Sequence, residues 1–182
     1  MNQTADLTEK TLSREEKYQG SFLSLHVDQV QLPNGRTSFR EEVEHVDGVA
    51  ILALDDRNNV LTVTQYRYVI GKTLLEIPAG KLEPGEDPVA GALRELKEET
   101  GAVPDTFLPM GVTLPSPGCL SERLYLFLAK GLHMESQQLD EDEFLNVERI
   151  PFNEMVHRVM DGEIEDSKTI AAVLKAKVLL NL

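Results

Sequence analysis

The chain has no tryptophan, a single cysteine, and only 18 lysines and arginines against 31 aspartates and glutamates in 182 residues. One cysteine, Cys119, excludes an internal disulfide framework and fits a reducing compartment. The formal charge of −13 argues against DNA, RNA or an anionic membrane surface as partners, because neutralising phosphates takes a basic surface. No apolar run approaches the roughly 20 residues of a membrane span. The opening stretch MNQTADLTEKTLSREEKYQG is polar and lacks a signal-peptide core, which with the lone cysteine reads as a cytoplasmic protein. Repeats and low-complexity segments are missing too, and His26, His45, His133 and His157 show no metal-ligand spacing. With 41% hydrophobic residues, the length suits one domain of ordinary size and a small appendage.

The apolar pattern reads as strands, a helix, more strands and terminal helices. Residues up to about Tyr18 are polar and are expected to be frayed or loosely packed. Ser21–Gln31 and Arg36–His45 flank an Asn34-Gly35 hairpin turn. Val49–Leu54 and Val60–Tyr66 form a second hairpin in a buried mixed sheet, and Thr73–Ile77 is a short strand. Further strands are expected near Met110–Leu114, at Arg123–Ala129 and at Phe144–Ile150. Asn153–Met160 and Lys168–Leu180 read as helices, the last capped by Asp166 or Ser167. Such an order suggests an α/β sheet with helices on both faces.

The stretch from Gly80 to Ala102, GKLEPGEDPVAGALRELKEETGA, is the most informative. A glycine-rich turn holding Glu86 leads into a helix with Asp87 as N-cap, Pro88 at its first position and Gly101 at C′. At about 100° per residue, Glu95 and Glu99 lie within about 40° of each other, with Glu98 about 60° to the other side. Val89, Leu93 and Leu96 take the arc expected to be buried. Glu98 and Glu99 stand in the last turn, where the helix dipole disfavours each by roughly 0.3–1 kcal/mol. Three carboxylates that repel one another in a well-capped helix break a local rule, which marks either a functional site or a solvated acidic face. A bound divalent cation would remove both penalties, since Mg2+ takes oxygen ligands from a few carboxylates and keeps others for water and phosphate.

Gly80, five residues, Glu86, seven residues and then Arg94-Glu95-Leu96-Lys97-Glu98-Glu99-Thr100-Gly101 resembles the Nudix box at every fixed letter. Ala102 departs softly, where the family prefers a larger aliphatic residue, a matter of packing and not of chemistry. The resemblance implies an α/β/α sandwich that hydrolyses a nucleoside diphosphate linked to another moiety, with Mg2+ or Mn2+. It places metal on Glu95 and Glu99, with Glu98 nearby and the Ala79 carbonyl as a further ligand. Arg94 takes an orienting role beside Glu98 in catalysis, while Gly80, Glu86 and Gly101 hold the motif together.

Other segments are similar to the ADP-ribose pyrophosphatase branch. They are Gln65-Tyr66-Arg67-Tyr68, Leu75-Glu76-Ile77-Pro78-Ala79-Gly80, Ser116-Pro117-Gly118 with Ser121-Glu122, Asp140-Glu141-Asp142-Glu143-Phe144, and Arg40-Glu41-Glu42-Val43-Glu44-His45. The branch implies a homodimer in which an N-terminal β segment, residues 1–45, contacts a second subunit and substrate, ahead of a hydrolase domain at 46–182. Arg40, Arg67, Ser116 and Gly118 then bind substrate, guanidinium forks being suited to phosphate oxygens and to stacking on a base. With no tryptophan, any aromatic stacking on adenine falls to Tyr66, Tyr68, Tyr18 or Phe22. Aligning Val147 with the strand valine of relatives makes Glu141 the general base and Glu143 a metal ligand; a shift of one residue gives those roles to Asp140 and Asp142.

The implied reaction takes ADP-ribose and water to AMP and ribose 5-phosphate. Competing readings are a pyrophosphatase for ADP-glucose or GDP-mannose, a diadenosine polyphosphate hydrolase, and a module that binds ADP-ribose without cleaving it. The presence of Glu95, Glu98 and Glu99 together favours catalysis over binding alone.

Overall fold

The computed structural model describes residues 6–139, 141 and 143–181, which form two compact units. One comprises the chain up to Val46 together with Ser116–Glu122; the other comprises Asp47–Pro115 and the chain from Arg123 onward.

The first unit is an antiparallel sheet of β1 (Lys10–Gln19), β2 (Leu23–Gln31) and β3 (Thr37–His45), in that order. The turn between β2 and β3 closes as expected, with the Gly35 N–H donating to the Leu32 carbonyl at 2.9 Å and the Leu32 N–H to Arg36 at 2.8 Å. The expectation of a loose segment before Tyr18 is corrected by β1. Backbone pairing is indifferent to side-chain polarity, and Arg14 anchors the strand by forking onto Asp28 of β2 at 2.9 and 2.7 Å. On β2, Ser24, His26, Asp28 and Val30 are buried, whereas Leu23, Leu25 and Val27 on the other face are only half-buried. Residues 116–122 complete the unit: the Val43 N–H donates to Cys119 at 2.7 Å and the Ser121 N–H to Val43 at 3.0 Å.

The second unit contains β4 (Gly48–Leu54), β5 (Asn59–Arg67), a 3-10 turn at Tyr68–Ile70, β6 (Lys72–Glu76), β7 (Ala79–Lys81), α1 (Pro88–Thr100), β8 (Ala102–Thr113), β9 (Leu124–Met134), β10 (Leu145–Pro151), α2 (Phe152–Met160) and α3 (Ser167–Leu180). Its sheet runs β10-β5-β4-β9-β8, with β6 paired to β5 and β7 to β4. The β4–β9 pair is parallel and the others antiparallel, so the sheet is mixed. Every residue of β4 is buried. Ala50, Leu52 and Leu54 pack with Met155 of α2 and Ala172, Val173 and Ala176 of α3. Val49, Ile51 and Ala53 pack with Ala92 and Leu96 of α1. Alternate side chains therefore serve two helical layers, which is the α/β/α sandwich.

Two departures from the sequence pattern matter. The β4–β5 hairpin is paired only near its turn, at Ala53–Leu61 and Leu54–Val60, and then splays. Into the opening come β6 and β7, with the Ile51 N–H donating to Pro78 at 2.9 Å, so the chain at 76–80 is threaded into the sheet beside α1. The expected strand near Met110 instead spans all of β8. Pro104 and Pro109 obscured it, and both are tolerated because β8 is an edge strand. Among the described residues no helix is long and apolar enough to cross a membrane.

Candidate active site

Helix α1 starts where its caps require. Asp87 accepts hydrogen bonds from the Val89 and Ala90 N–H groups at 3.0 and 3.2 Å, Pro88 follows, and Gly101 ends the helix at φ 72°. Its buried face differs from the expected one. Val89 is exposed, while Ala92, Leu96, Glu95 and Glu99 are buried. Glu95 is 8% and Glu99 3% exposed, which rules out the solvated acidic face.

Gly80 makes this burial possible, because a Cβ there would lie 2.0–2.2 Å from the Glu95 carboxylate. Glu99 reaches the same strand, accepting a hydrogen bond from the Ala79 N–H at 3.0 Å. Arg94 gathers the remaining acids. Its Nε and Nη2 donate to Glu86 at 2.9 Å each, its Nη1 to Glu95 and Glu98 at 2.9 Å each, and Nη2 also to the Lys81 carbonyl at 3.1 Å. Glu86 in turn accepts from the Glu83 N–H at 2.9 Å, tying the glycine-rich turn to the helix.

The carbonyls left without helical partners at the end of α1 are closed by the segment after β9. The Gln138 N–H donates to the Glu98 carbonyl at 2.9 Å, the Glu135 N–H to Gly101 at 2.7 Å, and the Gln137 side chain to Glu99. These donors offset the unfavourable dipole beneath the acidic residues, and the same segment leads on to Glu141 and Glu143.

The carboxylates differ sharply in charge environment. Arg94 holds Glu86 down to about 2, chiefly by hydrogen bonding. Burial pushes Glu95 up, with Arg94 opposing and Glu98 and Glu143 adding to the rise. Burial pushes Glu99 further, to about 8; the Ala79 N–H and Arg67 resist, and the Glu95 and Glu143 charges reinforce it. The Glu143 charge therefore acts unfavourably on both Glu95 and Glu99. Ala79, Glu95, Glu99 and Glu143 present an all-oxygen donor set, which fits a hard divalent cation that keeps water and phosphate ligands. Among the described residues, no three His, Cys, Asp or Glu side chains come together closely enough to hold a metal ion by themselves.

Arg67 sits near Glu99 and forks onto Glu76, with Nε and Nη2 each at 2.7 Å. Arg40, Ser116 and Gly118 belong to the first unit: Arg40 bonds Glu9, Ser38 and Phe39, and the Ser116 carbonyl accepts from Cys119 and Leu120. Glu141 is exposed. Asp140 and Asp142 lie outside the described residues. Sequence reasoning gave no role to Glu76 or Lys168, which meet in the second unit with Asp166. A usable signal existed, since Lys168 stands in the first turn of α3, where the dipole disfavours a cation.

The sequence matches the model of the NUDIX domain over residues 44–173, and that of the nucleoside diphosphate sugar hydrolase N-terminal domain over residues 9–43. It is 43% identical over 167 residues to the methanol dehydrogenase activator of Bacillus methanolicus, covering 91% of this chain and 90% of that one. It is 41% identical over 169 residues to the ADP-ribose pyrophosphatase of Bacillus subtilis, covering 92% and 91%. The fold is similar to the crystal structure of an ADP compounds hydrolase, with a TM-score of 0.85 and 22% identity over 98% of this chain and 97% of that one.

Proposed function

The chain belongs to the NUDIX family, and on that premise we propose that it hydrolyses the pyrophosphate bond of ADP-ribose, giving AMP and ribose 5-phosphate. The observation that carries this reading is the pair Glu95 and Glu99, buried on the box helix without enough positive charge to balance them. A bound divalent cation, Mg2+ or Mn2+, would acidify water and neutralise charge developing on the phosphoryl oxygens. Glu95, Glu99 and Glu143, with the Ala79 carbonyl and Glu98, would hold it.

The other residues take complementary roles. Arg94 orients Glu95 and Glu98 through one guanidinium nitrogen, while Glu86 steadies Arg94 from the turn. Glu141 is the general base that takes the proton of the attacking water; an exposed carboxylate in the acidic segment is free to reach it. Arg67, Arg40, Ser116 and Gly118 bind the nucleotide sugar. A homodimer built on residues 1–45 is supported by the half-buried Leu23, Leu25 and Val27, together with the exposed Tyr18 opposite Leu25 and the exposed Phe39 opposite Gln29. A cytoplasmic enzyme without nucleic-acid or membrane partners agrees with the charge and the lone cysteine.

The test is a hydrolysis panel with Mg2+: ADP-ribose, ADP-glucose, GDP-mannose, a diadenosine polyphosphate and NADH. ADP-ribose is expected to be cleaved fastest, to AMP and ribose 5-phosphate. Preference for GDP-mannose or ADP-glucose would move the enzyme within its family, and tight binding with no cleavage would make it a binding module. The resemblance to the activator favours a second reading, action on a dehydrogenase, which a methanol dehydrogenase assay with the chain added distinguishes.

A further inference from the structure

Beside the carboxylates of α1 lies a second cluster of buried charge. Glu76 is 1% exposed and accepts from three donors: Arg67 Nε, Arg67 Nη2 and Lys168 Nζ. Lys168 is held in turn by Asp166 Oδ1 at 3.0 Å, and Asp166 caps α3 through the Thr169 N–H at 3.0 Å. The Thr169 hydroxyl accepts the Ile77 N–H at 2.9 Å. Two acids and two bases balance, yet a balanced buried network is weak evidence of a purely stabilising role, because apolar side chains often serve as well. What this one fixes is an orientation. Glu76 engages one edge of the Arg67 guanidinium, and among the described residues no acceptor bonds the remaining Nη1. That guanidinium is also close enough to Glu99 for their charges to interact.

We infer that Lys168 is a positioning residue for hydrolysis: by fixing the Glu76 carboxylate it holds Arg67 with Nη1 presented to the diphosphate beside Glu99. The inference rests on the hydrolase reading above. Without Lys168, Glu76 keeps Arg67 as its sole cation, and the plane of its carboxylate is no longer set from the α3 side. Arg67 then loses the fixed support that keeps Nη1 turned to the substrate.

The experiment measures ADP-ribose hydrolysis with Mg2+ for wild type, Lys168→Met, Arg67→Ala and the double variant. Lys168→Met is expected to raise KM about tenfold with kcat within about twofold, the pattern of lost uniform binding. Arg67→Ala should raise KM at least as much, and adding Lys168→Met to it should change nothing further, since both act through one contact. An unchanged KM in Lys168→Met, or additive effects in the double variant, would overturn the inference. If Lys168→Met does not fold, Glu76→Gln/Lys168→Gln removes one charge of each sign and should show the same rise; a wild-type KM there is equally fatal. A wild type that cleaves no ADP-ribose would strike the hydrolase reading instead. The same variants are then compared by ADP-ribose dissociation constant in calorimetry, where absence of the tenfold weakening counts against Lys168.

Discussion

Glu76 and Glu99 are both glutamates almost wholly withdrawn from water, at 1% and 3% exposure, yet their surroundings are opposite. Burial raises the pKa of Glu76, but Arg67 and Lys168 outweigh it and hold the group below the usual carboxylate range. Glu99 has one backbone N–H from Ala79 and the unbonded charge of Arg67, set against the charges of two other acids, and lies near 8. The first glutamate is finished by the protein itself. The second is left short of positive charge, and that shortfall separates a structural acid from one meant for an external cation.

Exchanging each for glutamine should break the comparison most visibly. Glu99→Gln is expected to cut ADP-ribose turnover about a thousandfold, while stability holds or rises by about 1 kcal/mol, because folding no longer has to keep a buried acid protonated. Glu76→Gln should instead destabilise by about 3 kcal/mol, because it leaves the buried Lys168 ammonium with Asp166 alone. Urea melts and initial rates on the two variants check both halves; two variants that behave alike would erase the distinction. Next in size is Gly80→Ala. Its new Cβ would displace the Glu95 carboxylate, and turnover should fall about a hundredfold with little change in melting temperature. Normal activity in that variant would mean that the observed place of Glu95 is not the working one.

The smallest effect is in pH dependence. An acid whose folded pKa is raised carries no penalty while protonated, below the unfolded value of about 4.3. Stability is then lost as pH rises toward the folded value of about 8. Metal-free protein should therefore weaken across that window, and Mg2+ should raise the melting temperature more at about pH 8.5 than at about pH 6, by about 2–4 °C per kcal/mol regained. Thermal melts at both pH values measure it. An equal response at both would place the cation away from Glu99.

Local chemistry was readable in the sequence wherever a residue acts on its immediate neighbours. Asp87, Pro88 and Gly101 marked both ends of α1, and Asn34-Gly35 marked a turn. The arc of acids was visible too, but not its burial. The burial of Glu95 and Glu99 depends on β7 entering the splayed β4–β5 pair, a long-range event that helical periodicity does not encode. For the same reason Val89 read as buried and is exposed. Strand β1 was hidden because its residues are polar and its partner is supplied by β2. The Glu76–Lys168 contact joins residues 92 positions apart, and only the odd placement of a lysine in the first turn of α3 hinted at it.

The first unit is not a continuous length of chain. Leu120 bridges to Val43, and Cys119 and Ser121 share backbone bonds with the same residue, although they come from the interior of the segment that matches the NUDIX domain. Excising the first 43 residues would strip that inner loop of its backbone bonds to Val43, so a clean cut between the two sequence modules would not be a clean cut in space. Shuffling such modules among relatives would have to carry residues 116–122 along with the amino-terminal strands.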